Sequence, residues 1–162
     1  MTAAHAHSEP ARRGYTVTRV LALDLGSKRI GVAVSDLTGS VASPLTVIAR
    51  SRSRRHDHAT IAELVRDEEA ELVVVGLPLS LSGAEGPAAR AARAEAQALA
   101  TVVAVPIETF DERLSTVTAE RALAEGNVRG QARRQVVDKV AAAIFLQAYL
   151  DRRRNLDETE RR

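Results

Sequence analysis

The chain has 162 residues, a formal net charge of +2, 45% hydrophobic and 27% charged residues, which is typical of one globular domain with its own core. The absence of cysteine excludes disulfide scaffolds, cysteine-ligated zinc, iron–sulfur clusters and cysteine nucleophiles. No apolar run reaches the roughly 18 residues of a membrane span, and the N-terminus has no apolar signal region. We therefore expect a cytoplasmic protein with no membrane partner.

Short apolar runs separated by turn residues predict five strands and four helices in the order βββ-α-β-α-β-α-α. The predicted strands cover residues 20–25, 29–35, 41–48, 72–75 and 102–110, and the predicted helices cover 60–69, 85–100, 116–125 and 135–151. Residues 50–58 are predicted to form a basic loop. The charged ends predict a disordered tail over 1–16 and a flexible tail over 152–162, which leaves 17–151 as the folded domain.

The connections between these elements predict an α/β fold. The link at Ser27 and Lys28 is so short that the first two strands must pair antiparallel, and Pro44 places the third strand at an edge or a bulge. The fourth and fifth strands, joined through a helix, are expected to run parallel by a right-handed crossover. The prediction is a five-stranded mixed sheet, with an antiparallel β1-β2-β3 meander and parallel additions β4 and β5, flanked by helices.

Four acidic residues occupy positions where carboxylates are costly or grouped. Asp24 interrupts the first apolar strand, and Asp138 lies on the apolar stripe of the last helix. Asp111 and Glu112 end the fifth strand, where adjacent residues point to opposite faces. Structural roles remain open for each: a turn for Asp24, a favourable helix-end charge for Asp138, and solvated loop charges for Asp111 and Glu112.

Carboxylates from the first strand, the end of the fifth strand and the last helix could meet at one edge of the sheet. Converging anionic oxygens without histidine or cysteine suit Mg²⁺ or Mn²⁺. Two such ions are the usual device for cleaving a phosphodiester, because one activates the attacking water and the other stabilises the leaving oxygen. The spacing therefore suggests a metal-dependent phosphodiesterase.

Arginine accounts for nearly all of the basic residues and is concentrated in three groups. They contain Arg50, Arg52, Arg54 and Arg55; Arg129, Arg133 and Arg134; and Arg152, Arg153 and Arg154. Together they favour a nucleic-acid partner, since guanidinium groups bind backbone phosphates. Aromatic residues are only 2% of the chain, which argues against recognition of single strands by base stacking. His56 and His58 are expected to be surface residues of a mobile segment.

Four segments of the chain resemble, in order, the sequence blocks of the YqgF (RuvX) family. They are LALDLGSKRIGVAVSD (21–36), VVVGLPLSLSGAEGP (73–87), ETFDERLSTVTAERAL (108–123) and VVDKVAAAIFLQAYLD (136–151). The resemblance implies an RNase H-like fold and a hydrolase acting on ester bonds: a nuclease that processes the 5′ end of pre-16S rRNA in ribosome biogenesis, or a Holliday-junction resolvase acting on branched DNA.

The resemblance also implies site residues. Asp24, Glu112 and Asp138 would hold Mg²⁺ or Mn²⁺, two ions being expected, with Asp111 as a further catalytic candidate; whether Asp111 or Glu112 binds metal stays open, with Glu112 favoured. The phosphate-binding candidates are Lys28, Arg113, Arg54, Arg55, Arg133 and Arg134. The chain departs from the family at Ser80–Gly83, where relatives often have Asn-Met-Asp-Gly, and at Lys139 and Val140, where small residues are usual.

Two readings compete with a nuclease. A ribosome-associated RNA-binding protein without catalysis would use the acids structurally. A small ATP-binding protein of the actin-like superfamily would share the glycine-bearing first hairpin, but such proteins need two domains of this kind, so no nucleotide cofactor is expected. The sequence leaves open whether the protein is a monomer or a non-covalent homodimer.

Overall fold

A computed structural model describes residues 19–116 and 130–162, and of residues 131–135 the helical backbone alone. The strands are β1 (Val20–Leu25), β2 (Arg29–Ser35), β3 (Ala42–Ala49), β4 (Leu72–Leu77) and β5 (Ile107–Asp111). The helices are α1 (Arg54–Asp67), α2 (Pro87–Leu99) and α3 (Gln131–Glu160), with a 3-10 turn at Glu112–Leu114.

The strands form one mixed sheet in the spatial order β3-β2-β1-β4-β5. β1 pairs antiparallel with β2 and parallel with β4, while β3 joins β2 antiparallel and β5 joins β4 parallel. The register of β3 on β2 shifts between Val32 and Ala33, where Ala33 lies opposite Pro44. The predicted sheet, including an edge strand distorted at its proline, is confirmed.

Apolar side chains fill both faces of the sheet. On one face Leu23, Val75 and neighbouring strand residues pack against α1 and α2 through Ile61 and Leu99. On the other face, a second cluster that includes Val74 packs against α3, whose Phe145 is fully buried. Burying a side chain of this size contributes about 1.5–3 kcal/mol to stability. The predicted helix-covered sheet is therefore confirmed, with α3 alone among the described helices on the second face.

The predicted loop over 50–58 is wrong in its second half, because α1 begins at Arg54. The Ser53 side chain accepts a hydrogen bond from the backbone N–H of His56 (3.2 Å), which satisfies one of the first N–H groups of the helix. His58 is consequently a helix residue that is only 5% exposed, so its interpretation as a surface histidine is also wrong.

The start of β5 and the end of α3 also differ from the prediction. β5 begins at Ile107, because Val102 and Val103 instead donate backbone hydrogen bonds to Leu99 in the turn that follows α2. α3 continues to Glu160 where a flexible tail over 152–162 is predicted, and contacts such as Arg154 Nη2 to Asp151 Oδ1 (3.3 Å), one turn apart, accompany this extension.

The predicted N-terminal tail over 1–16 and residues 117–125 of the predicted third helix lie outside the described residues. Over the described parts of the chain, no helix combines the length and the apolar character that crossing a membrane requires.

Candidate active site

Asp24 lies on β1 at a level of the sheet where both neighbouring strands carry a glycine. Asp24 pairs with Gly31 of β2, and on the other side Gly76 follows directly after the Leu23–Val75 pair of β1 and β4. Successive strand residues alternate between faces, so Asp24 points to the same side as Ala22, toward α3. The flanking glycines leave space around this half-buried carboxylate on the α3 face.

The space above Gly31 is taken by the backbone of α3. A Cβ atom on Gly31 would lie 2.4 Å from the carbonyl oxygen of Asp138 and 3.5 Å from the Asp24 Cβ. Only a residue without a side chain permits this approach. The close passage of α3 over Gly31 therefore brings Asp138 beside Asp24.

The space above Gly76 is taken by the side chain of Glu112, the first residue of the 3-10 turn after β5. A Cβ atom on Gly76 would lie 2.6 Å from Glu112 Oε1 and 3.1 Å from a ring carbon of Phe145. Glu112 is only 5% exposed. Its carboxylate thus lies over the strand next to Asp24. We refer to Asp24, Glu112 and Asp138 as the acidic site.

Asp111 has a different set of contacts from its neighbour Glu112. Its carboxylate accepts hydrogen bonds from the backbone N–H of Arg113 (2.9 Å) and from Arg113 Nη2 (2.6 Å). These bonds to Arg113 hold the pKa of Asp111 below its ordinary value. The same guanidinium lies over Gly83, which has a φ of +88°, and its Nη1 is 3.4 Å from the carbonyl oxygen of Leu81. Asp111 therefore orients Arg113 against the loop after β4.

Arg29, at the start of β2, binds the third acid of the site. Its Nε donates to Asp138 Oδ2 at 2.7 Å, and the two side chains are 19% and 22% exposed. Among residues 19–116 and 130–162, no three carboxylate or histidine side chains already stand close enough together to hold a metal ion. The three acids therefore lie on one face of the sheet without forming a ready-made metal site, and Asp138 is held by the guanidinium of Arg29.

The predicted phosphate-binding residues are not all in one place. Lys28 is exposed in the β1–β2 turn, and Arg54 and Arg55 are exposed in the first turn of α1. Arg133 and Arg134 belong to the first turns of α3, but their side chains lie outside the described part of the chain.

A buried ionic network on the opposite face of the sheet has no counterpart in the predictions. Glu95 of α2, 2% exposed, accepts hydrogen bonds from Arg50 Nη1 (2.6 Å) and Nη2 (2.8 Å). His58 Nε2 lies 2.9 Å from Glu95 Oε1, and Arg50 Nε also donates to the carbonyl oxygen of Gly26 (3.0 Å). We refer to Arg50, His58 and Glu95 as the Glu95 network.

The charges of the Glu95 network compensate one another. Burial favours the protonated acid, but the hydrogen bonds from Arg50 and His58 outweigh it, so the pKa of Glu95 lies below its ordinary value. Glu95 shares the buried stripe of α2 with Ala92, Ala96 and Leu99. An acid on such a stripe requires a cationic partner, which is the signal in the sequence that could have revealed this network.

A family model described as RuvX, Holliday junction resolvase, matches residues 18–152 of the chain. Among curated proteins, one from Paracoccus denitrificans named "Putative pre-16S rRNA nuclease" is 49% identical over 87% of this chain and 89% of its own length. A protein of the same name from Moorella thermoacetica is also 49% identical, over 83% of this chain and 95% of its own length.

Two solved structures of RuvC from Thermus thermophilus share the fold. The RuvC complex with a Holliday junction substrate matches with a TM-score of 0.54 at 17% identity. The match covers 85% of this chain and 96% of the RuvC chain. A second RuvC structure has a TM-score of 0.51 at 18% identity, with the same coverage. At this identity the likeness concerns the fold, and it confirms the RNase H-like architecture.

Proposed function

The chain belongs to the RuvX family, and we propose on that basis that it is a nuclease that hydrolyses phosphodiester bonds in structured nucleic acid with the help of divalent metal ions. Its favoured substrate is pre-16S rRNA, for which its relatives at 49% identity are named, with cleavage at the 5′ region. The observation that supports the proposal is the acidic site, where Asp24, Glu112 and Asp138 lie on the α3 face of the sheet beside two glycines.

The acidic site fits Mg²⁺ or Mn²⁺ by the chemistry of its donors. All three side chains offer carboxylate oxygens, which hard divalent cations prefer. Gly31 and Gly76 leave the volume around Asp24 open to neighbouring oxygens, whereas a methyl group at either position would intrude on it. Asp24, Glu112 and Asp138 would hold the metal, which supplies activation of a water nucleophile and stabilisation of the leaving oxygen.

The other residues of the site position the substrate. Arg113, fixed by Asp111 and lying over the Gly83 loop, is placed to bind a phosphate next to the acids. Lys28 presents an ammonium group from the turn that follows Asp24. Asp111 acts in this scheme by orienting Arg113, and Glu112 is the metal ligand of the pair.

Further phosphate contacts are proposed for the predicted arginines. Arg54 and Arg55 would contact the strand from the first turn of α1, and Arg133 and Arg134 from the beginning of α3. Such contacts fix the position of a nucleic acid without reading its sequence.

Branched DNA is the second candidate substrate. The description of the RuvX family as a Holliday junction resolvase favours it, and so does the fold shared with RuvC. Resolution of a junction by two symmetric cuts would favour a dimer, whereas trimming of an RNA end does not require one.

Cleavage assays with both substrates test the proposal. The purified protein is incubated with Mg²⁺ or Mn²⁺ and either a labelled pre-16S rRNA leader fragment or a labelled four-way DNA junction. We expect metal-dependent cleavage of the RNA, lost in Asp24→Asn while binding persists. Cleavage of the junction alone would assign the DNA substrate. If neither is cut and the variant binds RNA as well as the parent, the protein is a non-catalytic RNA-binding protein.

A further inference from the structure

A cavity of about 450 Å³ lies on the α1 and α2 side of the sheet, directly behind the β1–β2 turn. Its walls are the end of β1 with the turn residues Gly26 and Ser27, the β3–α1 loop from Arg50 to Arg52, the first turn of α1 with Arg54 and Asp57, and one face of α2. Because Asp24 is only two residues from Gly26, the turn separates this cavity from the acidic site.

The floor of the cavity is prebuilt from Arg50 and two buried acids, Glu95 and Asp57. Arg50 and Glu95, whose side chains are 14% and 3% exposed, close it with two parallel hydrogen bonds of 2.6 and 2.8 Å. Arg50 is anchored further by its bonds to the Gly26 carbonyl oxygen and, through its backbone N–H, to that of Lys28 (2.9 Å). An arginine held in this way resists collapse of the cavity wall into the space.

The rim of the cavity, in contrast, is cationic. Arg52 and Arg54 line it and are both exposed, and Arg54 approaches Glu95 only at 4.0 Å with 63% of its side chain accessible. The N-terminus of α1 begins at the same rim and adds the partial positive charge of a helix end. Ala88 and Ala91 of α2 form an apolar wall opposite.

We propose that this arginine-rimmed cavity binds a backbone phosphate of the nucleic-acid strand, together with part of the attached nucleotide, beside the scissile phosphate. The proposal rests on the proposed function and assigns a second contact point to the same substrate. Two exposed guanidinium groups at a helix N-terminus are suited to phosphate oxygens. A strand leaving the acidic site reaches the cavity by crossing the β1–β2 turn.

A salt titration tests the contribution of the rim. Binding of a labelled single-stranded RNA is measured by fluorescence anisotropy in EDTA, which prevents metal-dependent cleavage, at several salt concentrations. Removing one arginine that neutralises a phosphate of a single strand lowers the slope of log K against log salt by about 0.7, so the Arg52→Ala/Arg54→Ala variant should have a slope that is smaller by about 1.4. Arg66→Ala, an exposed arginine at the far end of α1, should keep the parent slope. An unchanged slope in the double variant would overturn the proposal.

A substitution that fills the cavity without changing charge tests whether RNA binds inside the cavity or is only attracted by the positive charge around it. Ala91→Leu places a larger side chain on the apolar wall without altering charge, and Ala94→Leu makes the same exchange at an exposed position of α2 outside the cavity. We expect Ala91→Leu to weaken RNA binding about tenfold, which corresponds to about 1.4 kcal/mol, because the larger side chain occupies the space of the nucleotide, and Ala94→Leu to bind as the parent does. Equal binding by the two variants would contradict the proposal.

Inorganic phosphate distinguishes a strand phosphate from a free anion. We expect phosphorus NMR to show no saturable binding of inorganic phosphate that depends on Arg52 and Arg54. If inorganic phosphate binds saturably to the parent but not to the double variant, and RNA binding is the same in both, the cavity binds a small anion and not a nucleic-acid strand.

The two proposals fail in distinguishable ways. If the cavity variants bind RNA differently from the parent and the parent cuts neither substrate, the proposed phosphate site stands and the proposed nuclease activity is wrong. If the parent cleaves RNA with metal and the cavity variants bind RNA as the parent does, the nuclease activity stands and the phosphate site in the cavity is wrong.

Discussion

The two faces of the sheet carry carboxylates in opposite circumstances. On the α1 and α2 face, Glu95 is enclosed by Arg50 and His58, so two basic side chains close on one acid. On the α3 face, Asp24, Glu112 and Asp138 lie around Gly31 and Gly76, and Arg29 binds the last of them. The first arrangement pairs a buried acid with two basic side chains, whereas the second brings three acids to one face of the sheet.

The difference separates a structural role from a functional one. Burying a compensated ion pair is close to neutral for stability, but removing one partner leaves a costly buried charge. The acids on the α3 face stand where the proposed function requires metal ligands. We therefore expect substitutions in the Glu95 network to lower stability and substitutions in the acidic site to lower activity.

Asp24→Asn should produce the largest effect. The substitution preserves shape but removes the charge of a proposed metal ligand, so cleavage should fall at least about a thousandfold, which is about 4 kcal/mol in transition-state stabilisation. The free energy of unfolding should change little, because asparagine keeps the shape of the side chain. Single-turnover cleavage and urea denaturation of the same preparation measure both quantities. A variant that cleaves normally would remove Asp24 from the mechanism.

Glu95→Gln should have the converse effect. It leaves the Arg50 charge buried without its carboxylate, so we expect the free energy of unfolding to fall by about 3 kcal/mol. Cleavage per folded molecule should remain near that of the parent. Urea denaturation with a parallel cleavage assay checks this, and the conservative control is Glu63→Gln, an exposed acid of α1. A loss of cleavage without a loss of stability would place Glu95 in the reaction instead.

The two glycines beside Asp24 sharpen the comparison within the acidic site. Gly31→Ala meets the Asp138 backbone at 2.4 Å, and because a helix must shift, we expect about 2 kcal/mol of destabilisation. Gly76→Ala meets Glu112 Oε1, the end of a flexible side chain, at 2.6 Å and a ring carbon of Phe145 at 3.1 Å, but no backbone atom. We expect Gly76→Ala to lower cleavage about tenfold, about 1.4 kcal/mol, with a smaller change in stability. Thermal denaturation and cleavage rates of the two variants distinguish them; identical profiles would contradict the proposed placement of Glu112.

The smallest expected effect is on acid stability. The pKa of Glu95 in the folded protein lies below its ordinary value of 4.5, so its stabilising contribution is complete above that pH and is lost as the pH falls through the folded pKa. The difference in unfolding free energy between the parent and Glu95→Gln should therefore shrink below pH 4.5. Asp57, whose pKa is also lowered, is present in both proteins and cancels in this difference. A difference that is constant with pH would indicate that the carboxylate charge is not what stabilises the network.

Local patterns in the sequence predict most of the sheet because each apolar strand ends at glycine or another turn residue, as β1 does at Gly26. They fail at the start of α1, where Asp57 and His58 look solvent-exposed although both are buried by polar partners. The acids on β1 and α3 stand out because their strand and helix are otherwise apolar. The Glu95 network does not, because Arg50 and Glu95 are 45 residues apart and only the folded chain shows that they meet.

The proposed mechanism depends above all on metal binding by the acidic site, which a Mn²⁺ titration measures without any nucleic acid. Isothermal titration calorimetry compares the parent with Glu112→Gln and Glu95→Gln, one buried acid from each face of the sheet. We expect the parent and Glu95→Gln to bind Mn²⁺ alike and Glu112→Gln to bind at least about tenfold more weakly, since it loses a charged ligand. Equal Mn²⁺ affinity in the parent and Glu112→Gln, or no binding by the parent, would contradict the proposed mechanism.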